Sequence, residues 1–233
     1  MPAIRHFPNA ITCCNLFCGC VSAVFAFSGQ LELAAYFIFS AAVFDFFDGF
    51  VARRLKICSA MGKELDSLAD MVSFGMAPAS IMFALLLKAS DNNQYVALPA
   101  FIIAVFSALR LAKFNIDPRQ TESFIGLPTP ANAFFICAFA FPEFEVFAAH
   151  TYFLWAVTAV FSYLLVAELP LFSLKFKTFD WANNKTRYIF LALSLALLIV
   201  FRWAGMAPII LLYILLSVLS RMLGGSTQKH AHG

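Results

Sequence analysis

Apolar residues run along this chain in long unbroken stretches separated by short polar turns. The pattern predicts eight helical spans, most of about 15–24 residues and sized for the ~30 Å apolar core of a bilayer. They cover Ala10–Phe27, Leu31–Arg53, Asp66–Leu87, Tyr95–Leu111, Pro130–Phe141, Ala149–Val166, Arg187–Arg202 and Met206–Leu223. The fifth is short for a crossing. Continuous runs, rather than short alternating segments, exclude a transmembrane barrel. The first span follows Arg5 but has no small-residue cleavage site before the second begins, so it is read as structure and not as a leader. The expectation is an all-α polytopic membrane bundle in which residues 1–233 form a single domain. No soluble domain, repeat or linker interrupts it, and residues 224–233 form a short polar tail.

Composition agrees: 62% of the residues are hydrophobic, 12% are charged, and the mean hydropathy is +0.82. A soluble domain of 233 residues has no use for so much apolar surface. With eight spans, Lys88 and Arg202 alone of the 16 Lys and Arg fall on the side opposite the termini. The excess of basic residues on the other side places both termini, and the loop after the second span, in the cytoplasm of a cell membrane. The net charge of +3 therefore forms a rim suited to anionic lipid headgroups, with no role for nucleic acid. Of six cysteines, Cys13, Cys14, Cys18 and Cys20 cluster without a CxxC pair, and they read as small packing residues.

Four aspartates break the apolar pattern. The chain reads Asp45-Phe-Phe-Asp48-Gly49-Phe-Val-Ala52-Arg53, then, after eight residues, Gly62-Lys-Glu-Leu-Asp66-Ser-Leu-Ala-Asp70. On a helix, Asp45, Asp48 and Ala52 share one face, and Gly62, Asp66 and Asp70 form a second stripe. One Asp at the centre of a membrane helix costs roughly 2.5–3.5 kcal/mol, so four uncompensated ones cost on the order of 10 kcal/mol. The simplest compensation is one or two divalent cations between the two helices, since hard oxygen ligands select Mg²⁺, Mn²⁺ or Ca²⁺. Gly49, Ala52 and Gly62 remove bulk beside the carboxylates, and Arg53 opens the turn where an anionic group would lie. A cation-coupled transporter also lines its pathway with acids, but it does not account for the Gly and Ala spacing.

The pattern Asp-x2-Asp-Gly-x2-Ala-Arg-x8-Gly-x3-Asp-x3-Asp resembles, at every specified position, the signature of the CDP-alcohol phosphatidyltransferase family. The resemblance implies a membrane enzyme in which an alcohol displaces CMP from a CDP-linked lipid with the help of divalent metal, Mg²⁺ or Mn²⁺, as two ions. It implies metal ligation by Asp45, Asp48, Asp66 and Asp70, with Asp70 also acting as base on the incoming hydroxyl. Asp48, Gly49, Ala52, Arg53, Gly62 and Asp66 would then surround the CDP-lipid. A homodimer is also implied, with the later spans as its interface.

Within that family the chain is most similar to the bacterial and archaeal phosphatidylserine synthases. The likeness rests on Pro8-Asn9-x2-Thr12-x2-Asn15-x3-Gly19, on Met71-Val-Ser73-Phe74-Gly75-Met-Ala77-Pro78, on Arg110-Leu-Ala-Lys113-Phe114-Asn115 and on Phe124-Ile-Gly126-Leu127-Pro128-Thr-Pro130. The substrates implied are CDP-diacylglycerol and L-serine, with phosphatidylglycerophosphate synthesis as the alternative. Serine needs a cation for its carboxylate and an acceptor for its ammonium. Arg110 and Lys113 are the candidates for the first, Asn115 and Ser73 for the second. Arg110 and Lys113 are equally readable as snorkelling rim residues, and Asn9 as a helix cap.

Overall fold

The computed structural model describes residues 7–55, 59–117, 124–171 and 181–224. They form α1 (Phe7–Phe27), α2 (Leu31–Leu55), α3 (Ala60–Asp70), α4 (Ala77–Ala89), α5 (Gln94–Ala97), α6 (Ile102–Ile116), α7 (Thr129–Ala138), α8 (Glu145–Ala148), α9 (Thr151–Val166), α10 (Trp181–Phe201) and α11 (Met206–Gly224). A π-helical turn, Met71–Met76, joins α3 to α4, so Ala60–Ala89 is one continuous run. Among the described residues the helical class has one exception, a two-residue antiparallel ladder pairing β1 (Phe124–Ile125) with β2 (Pro170–Leu171). Arg5, Lys56, Arg119, Lys175, Lys177 and Lys229, which entered the orientation argument, lie outside the described residues, as does the tail from residue 225.

Five helical runs are long and apolar enough to cross a membrane: Phe7–Phe27, Leu31–Leu55, Ala60–Ala89, Gln94–Ile116 and Arg187–Leu219. This is an integral membrane protein. The pattern predicted eight spans, and the difference has local causes. Thr129–Ala138 is followed by Pro142–Ala148 at an angle of 79°, and the two make a sixth span only when taken together. α9, with 16 residues, is shorter than the others. The last run is not straight. Arg202 adopts a φ of 50°, and a side chain on Gly205 would meet the Leu197 carbonyl at 2.8 Å, so the chain turns back there. The ring of Tyr213 consequently lies 5.8 Å from that of Phe190.

α1 and α2 form a tight hairpin. Gly29, at φ 77°, closes α1: its N–H donates to Ala26 O at 3.0 Å, and the Gln30 N–H donates to Phe25 O at 2.9 Å. This pair of bonds satisfies carbonyls that the helix end leaves open. The buried face of α1 carries Thr12, Asn15, Cys18, Gly19, Ser22 and Ala26, and that of α2 carries Ala34, Ala35, Ile38 and Ala41. Small side chains let membrane helices approach closely, where the apolar driving force available in water is missing. Ser22 uses the closeness, donating its hydroxyl to Ala34 O at 2.8 Å. α4 is the central post: Ala77, Ala79, Ile81, Met82 and Leu86 are fully buried on it.

The segment before α7 is pinned to the end of α9. Gly126 donates its N–H to Leu169 O at 2.9 Å, and Leu127 donates to Leu164 O at 2.8 Å. Gly126 sits at φ 80°, and a Cβ there would meet Leu165 O at 2.6 Å. Gly126→Ala is therefore expected to cost about 1–3 kcal/mol, from backbone strain and overpacking together. A lowered thermal midpoint of the detergent-purified protein would register it; an unchanged midpoint would show that the segment relaxes freely.

Candidate active site

The carboxylates come from two helices whose starts and faces are set locally. Ser59 caps α3, its Oγ accepting the Gly62 N–H at 2.9 Å, which places Gly62, Asp66 and Asp70 on successive turns of one face. Asp45 and Asp48 lie one turn apart on α2. All four line a single cleft of about 570 Å³, together with Pro8, Asn9 and Thr12 of α1 and Phe114 of α6. One oxygen each from Asp45, Asp48 and Asp66 lies within 4.8 Å of the others. At that separation and an effective dielectric of about 20, each ionised pair repels by roughly 3–4 kcal/mol.

The donor set fits a divalent cation. It is all oxygen, drawn from two rigid helices, and Asp48 Oδ2 is buried with no hydrogen-bond partner. An orphaned buried acceptor is costly, more so when charged, and a bound cation removes the cost. Asp70 stands beside this trio. Its Oδ1 accepts the Asn15 Nδ2–H at 3.4 Å, and it lines the same cleft as Asp45.

The remaining motif residues shape the walls. Gly49 faces the Arg53 guanidinium, which a Cβ would meet at 3.2 Å, and Gly62 faces Asn9 Oδ1 at 3.1 Å by the same measure. Ala52, Arg53 and Lys63 also line the cleft. Asn9, readable from sequence as a cap, lies inside α1. Each of the expected serine ligands has a partner within the protein. Arg110 is buried, donates its Nε–H to Leu127 O at 2.7 Å, stacks 5.5 Å over Phe114, and lies near enough to Asp70 to feel its charge. Lys113 pairs with Glu168 at 3.6 Å, and Asn115 donates to Ser67 Oγ at 2.8 Å. Ser73 is fully buried and donates its hydroxyl to the Asn15 carbonyl at 2.9 Å. Thr12, Lys63 and Phe114 line the cleft without having been singled out for it, and Asn15 touches Asp70. For Thr12 and Asn15 a signal exists in the spacing Asn9, Thr12, Asn15, Gly19, which repeats at three or four residues and so marks one face of α1.

This architecture has known relatives. The family model described as CDP-alcohol phosphatidyltransferase matches residues 5–164. The chain belongs to that family. The CDP-alcohol phosphatidyltransferase match spans both aspartate helices and reaches into α9, and it sets aside the transporter reading of the acids. Among curated proteins, the chain is 33% identical over 166 residues to "CDP-diacylglycerol--serine O-phosphatidyltransferase" of Bacillus subtilis (strain 168), covering 71% of this chain and 89% of that protein. Proteins of the same name from Helicobacter pylori (strain J99) and Methanocaldococcus jannaschii are 38% identical over 129 residues and 39% over 102. The chain spans about half the length of those two, 54% and 47% respectively.

If the carboxylate trio holds a cation, Mg²⁺ or Mn²⁺ should raise the thermal midpoint of the purified protein in the absence of any substrate. Saturation at about 100 times the dissociation constant corresponds to about 2.7 kcal/mol. Asp48→Asn should abolish the shift or move it to much higher metal concentration. An equal shift in wild type and Asp48→Asn would place the cation elsewhere.

Proposed function

We propose that this chain transfers the phosphatidyl group of CDP-diacylglycerol to the hydroxyl of L-serine, giving phosphatidylserine and CMP. The observation that carries the reading is the cleft itself: three converging carboxylates with a fourth, Asp70, held beside them. The names of the relatives from Bacillus, Helicobacter and Methanocaldococcus support serine as acceptor.

In this reading the serine hydroxyl oxygen attacks the lipid-side phosphorus, the bond from that phosphorus to the bridging oxygen breaks, and CMP leaves with the electron pair. Asp70 takes the hydroxyl proton. Asp45, Asp48 and Asp66 would hold the metal, with Asp70 contributing to a second ion; Mg²⁺ or Mn²⁺ held there would neutralise charge on the diphosphate and the departing CMP. Arg53 and Lys63 face the diphosphate from the cleft wall, and Gly49, Ala52 and Gly62 leave room for the nucleotide. Arg110 supplies positive charge on the Asp70 side, where the serine carboxylate would lie. The chain acts as one membrane domain of eight crossings, with termini and cleft on the cytoplasmic side of the cell membrane, and pairs as a homodimer through its later helices.

Purified protein given CDP-diacylglycerol, divalent metal and serine should release CMP and form phosphatidylserine. Product with glycerol 3-phosphate alone would sink the choice of acceptor, and no CMP release with any alcohol would sink the reaction. Asp70→Asn is expected to keep CDP-lipid binding and lower turnover about 10²–10⁴-fold, the usual reach of a general base. Arg110→Ala should raise KM for serine more than KM for CDP-diacylglycerol; an unchanged serine KM removes Arg110 from the acceptor pocket.

A further inference from the structure

Asn15 is fully buried in the middle of α1, and it is tied at both ends to the helix that carries the base. Its backbone carbonyl accepts the Ser73 hydroxyl at 2.9 Å, and its side-chain Nδ2–H donates to Asp70 Oδ1 at 3.4 Å. Gly19, one turn further along α1, rests on the same residue. A Cβ at Gly19 would fall 2.7 Å from Ser73 Cα and 2.9 Å from Ser73 N, so the two backbones touch with nothing between them. Ser73 belongs to the π-helical turn that begins directly after Asp70. The contacts form a closed loop of chain: Asp70 to Ser73 along the helix, Ser73 to the Asn15 carbonyl, and the Asn15 amide back to Asp70. Full burial of Asn15 limits the directions its amide can take. The Asp70 carboxyl, in turn, has Oδ1 engaged from the α1 side and lines the cleft with Asp45, Asp48 and Asp66.

We propose that Asn15 is a positioning residue for Asp70: its amide holds Oδ1 so that the second oxygen points to the acceptor hydroxyl. The inference rests on the reading of Asp70 as base. Reaction rates respond strongly to such alignment, because the reacting atoms must lie in a near-attack arrangement. Partners that orient a catalytic or ligating group are typically worth about 10–100-fold.

The test is a double-variant cycle on the full-length protein in detergent, with CDP-diacylglycerol and serine. Asn15→Leu keeps the volume and removes the donor; it is expected to lower kcat about 10–100-fold and leave KM for CDP-diacylglycerol within about 2-fold. In the Asp70→Asn background the same substitution should cost less than about 3-fold, because the oriented base is already gone. Asn15→Gln, which retains an amide, should recover part of the lost rate. Losses that multiply in the double variant would overturn the proposal, as would a raised CDP-lipid KM with kcat intact. Asn15→Ala serves as the second probe, with its thermal midpoint measured alongside; failure of both variants to fold would make Asn15 structural and end the proposal. The two readings fail separately. A wild type that uses another alcohol overturns serine but leaves the cycle measurable with that alcohol. A wild type indifferent to Asp70→Asn overturns the base itself.

Discussion

Carboxylates that must sit together inside a membrane dominate this molecule. Asp45, Asp48 and Asp66 bring oxygens within 4.8 Å of one another, and Asp70 adds a fourth acid to the same cleft. Neither bilayer nor protein interior tolerates that arrangement bare. Rigidity is what keeps it: two helices held against a third cannot splay to relieve the repulsion. A cation among these oxygens would offset that repulsion.

The rest of the bundle follows from that requirement. α1 carries a face of Thr, Asn, Cys, Gly, Ser and Ala because bulky residues would push it off α2 and off the π turn. Its hydroxyls and amide satisfy neighbours directly, Ser22 on Ala34 O and Asn15 on Asp70. α4 supplies the anchor, with Ile81, Met82 and Leu86 fully enclosed. On the far side, the Gly126–Leu127 segment receives Arg110 through the Leu127 carbonyl and holds the guanidinium near Asp70. Aromatic pairs such as Phe135 with Phe161 and Phe39 with Trp203 fill much of the remaining space.

Much of this was legible in the sequence for a physical reason: a charged residue in a long apolar run is expensive enough to need an explanation, and the spacing of Asp45, Asp48, Asp66 and Asp70 supplied one. The helical class and the pairing of two acidic faces follow from periodicity alone. Other features depend on contacts distant in the chain. Nothing near Lys113 announces that Glu168 will meet it, and nothing near Ser73 announces the Asn15 carbonyl. The 79° bend after α7 and the reversal at Arg202 fall where the predicted spans end, at Phe141 and Arg202, but hydropathy is silent about the direction the chain then takes. Asn15 was visible as part of a repeating face on α1, but its partner was not.

The π-helical turn at Met71–Met76 has a geometric consequence. Its wider winding, marked by the Ala77 N–H reaching back to Val72 O, amounts to one residue more than an α-helix would use. In an α-helix each residue advances the side-chain direction by about 100°. The run from Ala60 to Ala89 is thus two segments with different angular phase. The first half can aim Asp66 and Asp70 at the cleft while the other half seats α4 in the core, and neither orientation dictates the other. An insertion or deletion within those six residues would leave both halves helical and both sequences intact, yet turn the acids away from their partners on α2.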